Sequence, residues 1–124
     1  MTDEITCVLV VDDEALIALG LTVTLRSMGL RVCGTAATAE QAIALAQQHR
    51  PSLVLMDVRL KGQADGVDAA IEIHRTVGSS VIFITGSREP ETVQRIQQDH
   101  PAGVLFKPIL PVHLKAEIDR VFGH

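Results

Sequence analysis

The chain has 124 residues, 47% of them hydrophobic and 21% charged, a size suited to one compact core, so residues 1–124 read as a single domain with no output domain appended. With 15 acidic against 11 basic residues the formal charge is −4, which excludes a surface built to hold nucleic acid or anionic lipid by charge, and no direct nucleic-acid contact is expected. No apolar run approaches the roughly 20 residues that span a bilayer, and the opening Met1-Thr2-Asp3-Glu4 is acidic, so a cytoplasmic location away from the membrane is the expectation.

The nearly continuous apolar run ITCVLVV, Ile5 to Val11, predicts a parallel strand covered on both faces. Helical spacing follows from Glu14 to Met28 and closes at Gly29. A second strand is expected at Arg31 to Thr35, then a helix opened by the capping-box pattern Thr38-Ala-Glu-Gln41 and stopped by Pro51. Leu53 to Met56 is a third strand, and Gly66 to Val77 a third helix with Asp65 as N-cap and Gly78 as stop. Val81 to Ile84 and Gly103 to Phe106 complete the strands, with helices after Pro90 and Pro111. Strict βα alternation of this kind predicts an α/β, doubly wound parallel sheet whose crevice lies at the carboxyl ends of the strands.

Polar chemistry stands at four of those ends: Asp12-Asp13-Glu14, Asp57, Thr85-Gly86 and Lys107-Pro108. Each alone has a bland reading: Asp12 or Asp13 caps the first helix, Asp57 starts a turn, Thr85 caps the next helix and Lys107 is solvated. Together they read differently. Three carboxylates brought to one sheet edge repel unless a cation joins them, and a hard divalent ion such as Mg2+ (or Mn2+) suits oxygen donors and still accepts phosphate oxygens. Asp57 is then a nucleophile able to form an aspartyl-phosphate, with Lys107 supplying opposing charge and Thr85 a hydroxyl donor that pulls on the loop Gly86 to Pro90. A cis Lys107-Pro108 bond is expected.

From VLVVDDE (Val8 to Glu14) through Asp57 and Thr85 to LFKP (Leu105 to Pro108), the chain resembles the receiver domain of two-component response regulators over its whole length. The resemblance implies a flavodoxin-like (βα)5 fold with sheet order 2-1-3-4-5. It also implies a phosphoryl group taken from a sensor histidine kinase or a histidine phosphotransfer protein, with a homodimer as a further partner arrangement. By the same analogy the backbone carbonyl of Arg59 joins Asp12, Asp13 and Asp57 around the metal. The chain departs from the common pattern in having Lys61 four residues after Asp57, where many receivers have proline, and in placing Gly66 one residue late. The segments DVRLKGQADG (Asp57 to Gly66) and FITGS (Phe83 to Ser87) are similar to the Phe-Ala-Thr-Gly subgroup of single-domain receivers, often paired with HWE-type kinases. Val104 occupies the place of the usual aromatic switch and there is no tyrosine, so the loop after Thr85 is expected to carry the signal, with Phe106 sharing the parity of position 104.

The apolar face of the first helix, including Leu16, Leu19 and Val23, is wide enough for either deep burial or a docking surface for a kinase helix hairpin. Cys7 and Cys33 read as buried thiols, and His49, His74, His100, His113 and His124 as solvated or packed groups outside the site. Arg59 and Ser87 flank the acceptor, where they could govern access of water. Two other classes compete: a pseudo-receiver that binds partners without phosphorylation, and a flavodoxin-like enzyme, which lacks support because no Gly-rich loop follows the first strand. A regulator of this size acts as an effector, a phosphoryl shuttle or a sink, and the residues do not separate these.

Overall fold

The computed structural model describes residues 5–123, so His124 lies outside the described residues. Strands β1 (Val8–Val11), β2 (Val32–Ala36), β3 (Leu53–Asp57), β4 (Ser80–Thr85) and β5 (Gly103–Phe106) alternate with helices α1 (Ala15–Ser27), α2 (Ala39–His49), α3 (Gly66–Thr76), α4 (Pro90–Gln97) and α5 (Pro111–Phe122). All ladders are parallel and the order is β2-β1-β3-β4-β5, the flavodoxin-like arrangement expected. No helix among the described residues is long and apolar enough to cross a membrane.

Alternate residues of each central strand serve opposite layers, because successive side chains point to opposite faces. Val8, Val10, Leu53, Leu55, Ile82 and Ile84 pack with Leu25 of α1 and Leu114 and Ile118 of α5. Leu9, Val11, Val54, Met56 and Phe83 pack with Ala42 and Ala46 of α2, Ile73 of α3 and Ile96 of α4. This double coverage is why the strands are apolar throughout. Helix α1 buries Ala18, Leu21, Thr22 and Leu25 and packs Ile17 partly against the same layer, while Leu16 is left 84% exposed with Leu19 and Val23 also in solvent. Deep burial of the whole apolar face therefore does not occur.

Several boundaries differ from the sequence expectation. β1 is shorter than the apolar run, starting at Val8, where pairing with Val32 and Leu53 begins. β3 and β4 each run one residue further, through Asp57 and Thr85, which pair with Ile84 and Phe106. Asp57 and Thr85 are thus ladder residues, held by strand hydrogen bonds instead of loop conformation. At α2 the Gln41 N–H donates to Thr38 Oγ1 (3.1 Å), but Gln41 Oε1 accepts from Ala37 N–H, one residue before the position of a true box. The complete box is at α3, where Asp68 N–H donates to Asp65 Oδ1 and Asp65 N–H to Asp68 Oδ2, each at 3.0 Å. An Asp in place of Glu or Gln at the third helical position hid it from pattern reading.

Candidate functional site

The strand order reverses between β1 and β3, so the chain leaves β1 on one side and returns beside it on the other, opening a crevice at their carboxyl ends. Asp12 follows β1 directly: its N–H continues the ladder to the Ala36 carbonyl (2.9 Å), and its Oδ1 accepts from Glu14 N–H (2.9 Å). Neither Asp12 nor Asp13 caps α1, whose N-cap is Glu14 without a side-chain bond. One oxygen from each of Asp12, Asp13 and Asp57 lies within 4.8 Å of the others. Asp12 and Asp57 are almost wholly buried, and Asp13 is partly open.

Lys107 follows β5 at the same carboxyl edge of the sheet. Its N–H donates to the Thr85 carbonyl (2.8 Å), the following Lys107-Pro108 bond is cis as expected, and its ammonium reaches back to Asp12 Oδ2 and Asp57 Oδ2, both at 3.3 Å. Burial pushes the Asp57 carboxyl up to about 6, the Asp12 charge adds to this, and Lys107 opposes it. Burial pulls the Lys107 ammonium down, but the carboxylates of Asp57 and Asp12 outweigh it and the net direction is upward. Three carboxylates against one ammonium leave an excess of negative charge built from hard oxygen donors, and such a set fits a divalent cation.

Thr85 does not cap α4, whose N-cap is Glu89; instead its Oγ1 accepts the N–H of Ser87 at 3.0 Å. These residues line a pocket of about 690 Å³ that opens over Asp57, with Asp13, Thr85 and Lys107 on its walls and Arg59 and Ser87 at its sides. Every site residue singled out from the sequence therefore meets in one place. The described histidines stay away from it, and His74 Nδ1 lies 3.2 Å from Asp99 Oδ2 on the α3 side. Cys7 is buried; Cys33 is partly buried, its thiol pushed up to about 12 by burial and the neighbouring Cys7.

Two features of the site escaped sequence reading. Gly66 N–H donates to the Val58 carbonyl (2.7 Å), and a Cβ at Gly66 would stand 2.0 Å from the Asp57 carbonyl oxygen, so α3 begins against the backbone of Asp57 itself. The guanidinium of Arg88 covers the Phe106 ring, 4.0 Å from its centroid. The late glycine was a visible signal for the first; nothing in the spacing announced the second.

A family model for the response regulator receiver domain matches residues 8–119. The chain belongs to that family. PdtaR, a transcriptional regulatory protein of Mycobacterium tuberculosis strain CDC 1551, is 36% identical over 101 residues, covering 82% of this chain and 49% of PdtaR. PhyR, the phyllosphere-induced regulator of Methylorubrum extorquens, is 34% identical over 119 residues, covering 95% of this chain and 44% of PhyR. The signal receiver domain of a modulated diguanylate cyclase from Desulfovibrio desulfuricans G20 superposes with a TM-score of 0.90 at 35% identity, covering 98% of this chain and 95% of that domain. This receiver domain spans about half the length of the curated relatives it matches.

Proposed function

We propose that this receiver acts as a phosphoacceptor in a two-component or phosphorelay system, carrying the phosphoryl group on Asp57. The observation that carries the reading is the placement of the Lys107 ammonium 3.3 Å from both Asp57 and Asp12, with Asp57 and Lys107 lining one open pocket. A carboxylate oxygen of Asp57 attacks phosphorus, an O–P bond forms, and the P–N bond to the donor imidazole breaks with its electron pair leaving on nitrogen. The imidazole then takes a proton from water. Lys107 stays beside one phosphoryl oxygen, and the Thr85 hydroxyl rotates from the Ser87 backbone toward another.

Asp12, Asp13, Asp57 and the Arg59 backbone carbonyl would hold Mg2+ or Mn2+, which when bound supplies positive charge to the phosphoryl oxygens. The donor is the phosphohistidine of a sensor histidine kinase, of the HWE type given FITGS before α4, or of a histidine phosphotransfer protein, and the setting is the cytoplasm. The exposed stripe of Leu16, Leu19 and Val23 on α1 supports docking of a donor helix.

Incubation with acetyl phosphate and Mg2+, followed by intact mass, tests the reading. The parent gains one phosphoryl group and Asp57→Ala gains none. An unmodified parent favours a pseudo-receiver that binds partners without chemistry.

A further inference from the structure

Arg88 belongs to the loop between β4 and α4, and its guanidinium lies face-on to the ring of Phe106 at 4.0 Å. Phe106 is the β5 residue set opposite Thr85, so the ring and the hydroxyl occupy one rung of the sheet and Arg88 bridges both strand ends. The same side chain lines the pocket that contains Asp57, Thr85 and Lys107. A guanidinium over a half-buried phenyl ring is a weak partnership, whereas a guanidinium with a phosphoryl dianion makes charge-assisted and often bidentate bonds. Arg88 therefore stands on its poorer partner within the cavity where the better one would form.

The loop is also anchored in a way that modification of Asp57 would disturb. Ser87 N–H donates to Thr85 Oγ1 at 3.0 Å, Glu89 N–H donates to Ser87 Oγ at 3.2 Å, and Ser87 Oγ contacts Thr92 Oγ1 at 3.5 Å. A Thr85 hydroxyl that turns toward a phosphoryl oxygen changes the anchor of Ser87, the residue next to Arg88. We propose that Arg88 is a second phosphoryl-binding cation, which leaves the Phe106 ring for the phosphoryl oxygens once Asp57 is modified and so uncovers that ring at the β5 edge of the sheet. This rests on the assignment of Asp57 as the acceptor, and it gives the signal an aromatic surface although position 104 is valine.

The test uses the full chain with Mg2+ and beryllofluoride, a phosphoryl mimic that forms an adduct on a carboxylate, and follows the assigned ring signals of Phe106. Phe122, in the opposite core layer on α5, is the internal reference. Adduct formation shifts the Phe106 signals of the parent. In Arg88→Gln those signals already stand at the uncovered position without beryllofluoride, and apparent affinity for the mimic falls about fivefold; Arg88→Lys, which keeps the charge, recovers part of the loss. An adduct that forms on the parent without moving Phe106, or with equal affinity in Arg88→Gln, overturns the role of Arg88 while leaving Asp57 as acceptor. A parent that takes neither beryllofluoride nor the phosphoryl group of acetyl phosphate overturns both.

Discussion

A Cβ on Gly66 would sit 2.0 Å from the carbonyl oxygen of Asp57. The close approach lets α3 start directly behind the acceptor, with Gly66 N–H bonded to the Val58 carbonyl and Asp65 capping the first turn. Gly66→Ala must displace backbone, not a flexible side-chain tip, and overpacking of this kind typically costs about 1–3 kcal/mol. Urea unfolding of the variant should fall toward the upper end of that range and phosphoryl uptake should drop with it. Unchanged stability would mean that α3 can slide away from β3 without loss.

Asp57 is pushed up to about 6 by burial and by Asp12, from an ordinary 3.8. A carboxyl whose folded pKa lies above its unfolded value binds more protons when folded, so its ionisation removes stability as pH rises from about 4 through about 6. In metal-free buffer Asp57→Asn, which cannot ionise, should exceed the parent by about 1–2 kcal/mol near pH 7 and by little near pH 4, the size being reduced by water in the open pocket. Denaturant unfolding at the two pH values checks this. A difference independent of pH would assign the gain to something other than Asp57 ionisation.

Lys107 is shared between Asp12 and Asp57 at 3.3 Å from each, so it competes with any metal for the same carboxylates and also holds charge opposite the acceptor. Lys107→Ala separates the two roles. Removing a neighbouring positive charge should tighten Mg2+ binding by about tenfold, while loss of the ammonium should slow labelling by acetyl phosphate about a hundredfold. Calorimetric Mg2+ titration and timed intact mass read the two effects separately. Weaker Mg2+ binding in the variant would show that Lys107 organises the carboxylates instead of competing for them.

The sheet order and the meeting of Asp12, Asp13, Asp57, Thr85 and Lys107 were legible because both depend on long-range regularities: alternation of apolar runs with helices, and polar residues at strand ends. Local detail was less so. Asp57 and Thr85 extend their strands because Ile84 and Phe106 lie opposite, a register that no single strand encodes. Leu16, Leu19 and Val23 belong to an apolar helix face wider than the sheet beneath it can cover, and only the packed fold shows which side is left in water. Arg88 and Phe106 are 18 positions apart on different elements, and their contact follows from loop conformation.

Asp65 serves two structures at once. It caps α3, and one nitrogen of the Arg95 guanidinium on α4 reaches both of its oxygens at 2.9 Å, with Asp68 Oδ1 at 3.6 Å from the same group. Helix α4 buries only Ile96, so this ion pair is one of the few ties between α4 and the segment that leads from Asp57. Loss of a capping Asp costs about 1 kcal/mol, and a partly exposed ion pair contributes about 0.2–1 kcal/mol after screening. Asp65→Ala should therefore cost about 1–2 kcal/mol, whereas Asp65→Ser, which retains an N-cap oxygen, should cost no more than Arg95→Ala. A double-mutant cycle between Asp65→Ser and Arg95→Ala isolates the pair. Additive losses in that cycle would mean that Arg95 does not hold α4 through Asp65.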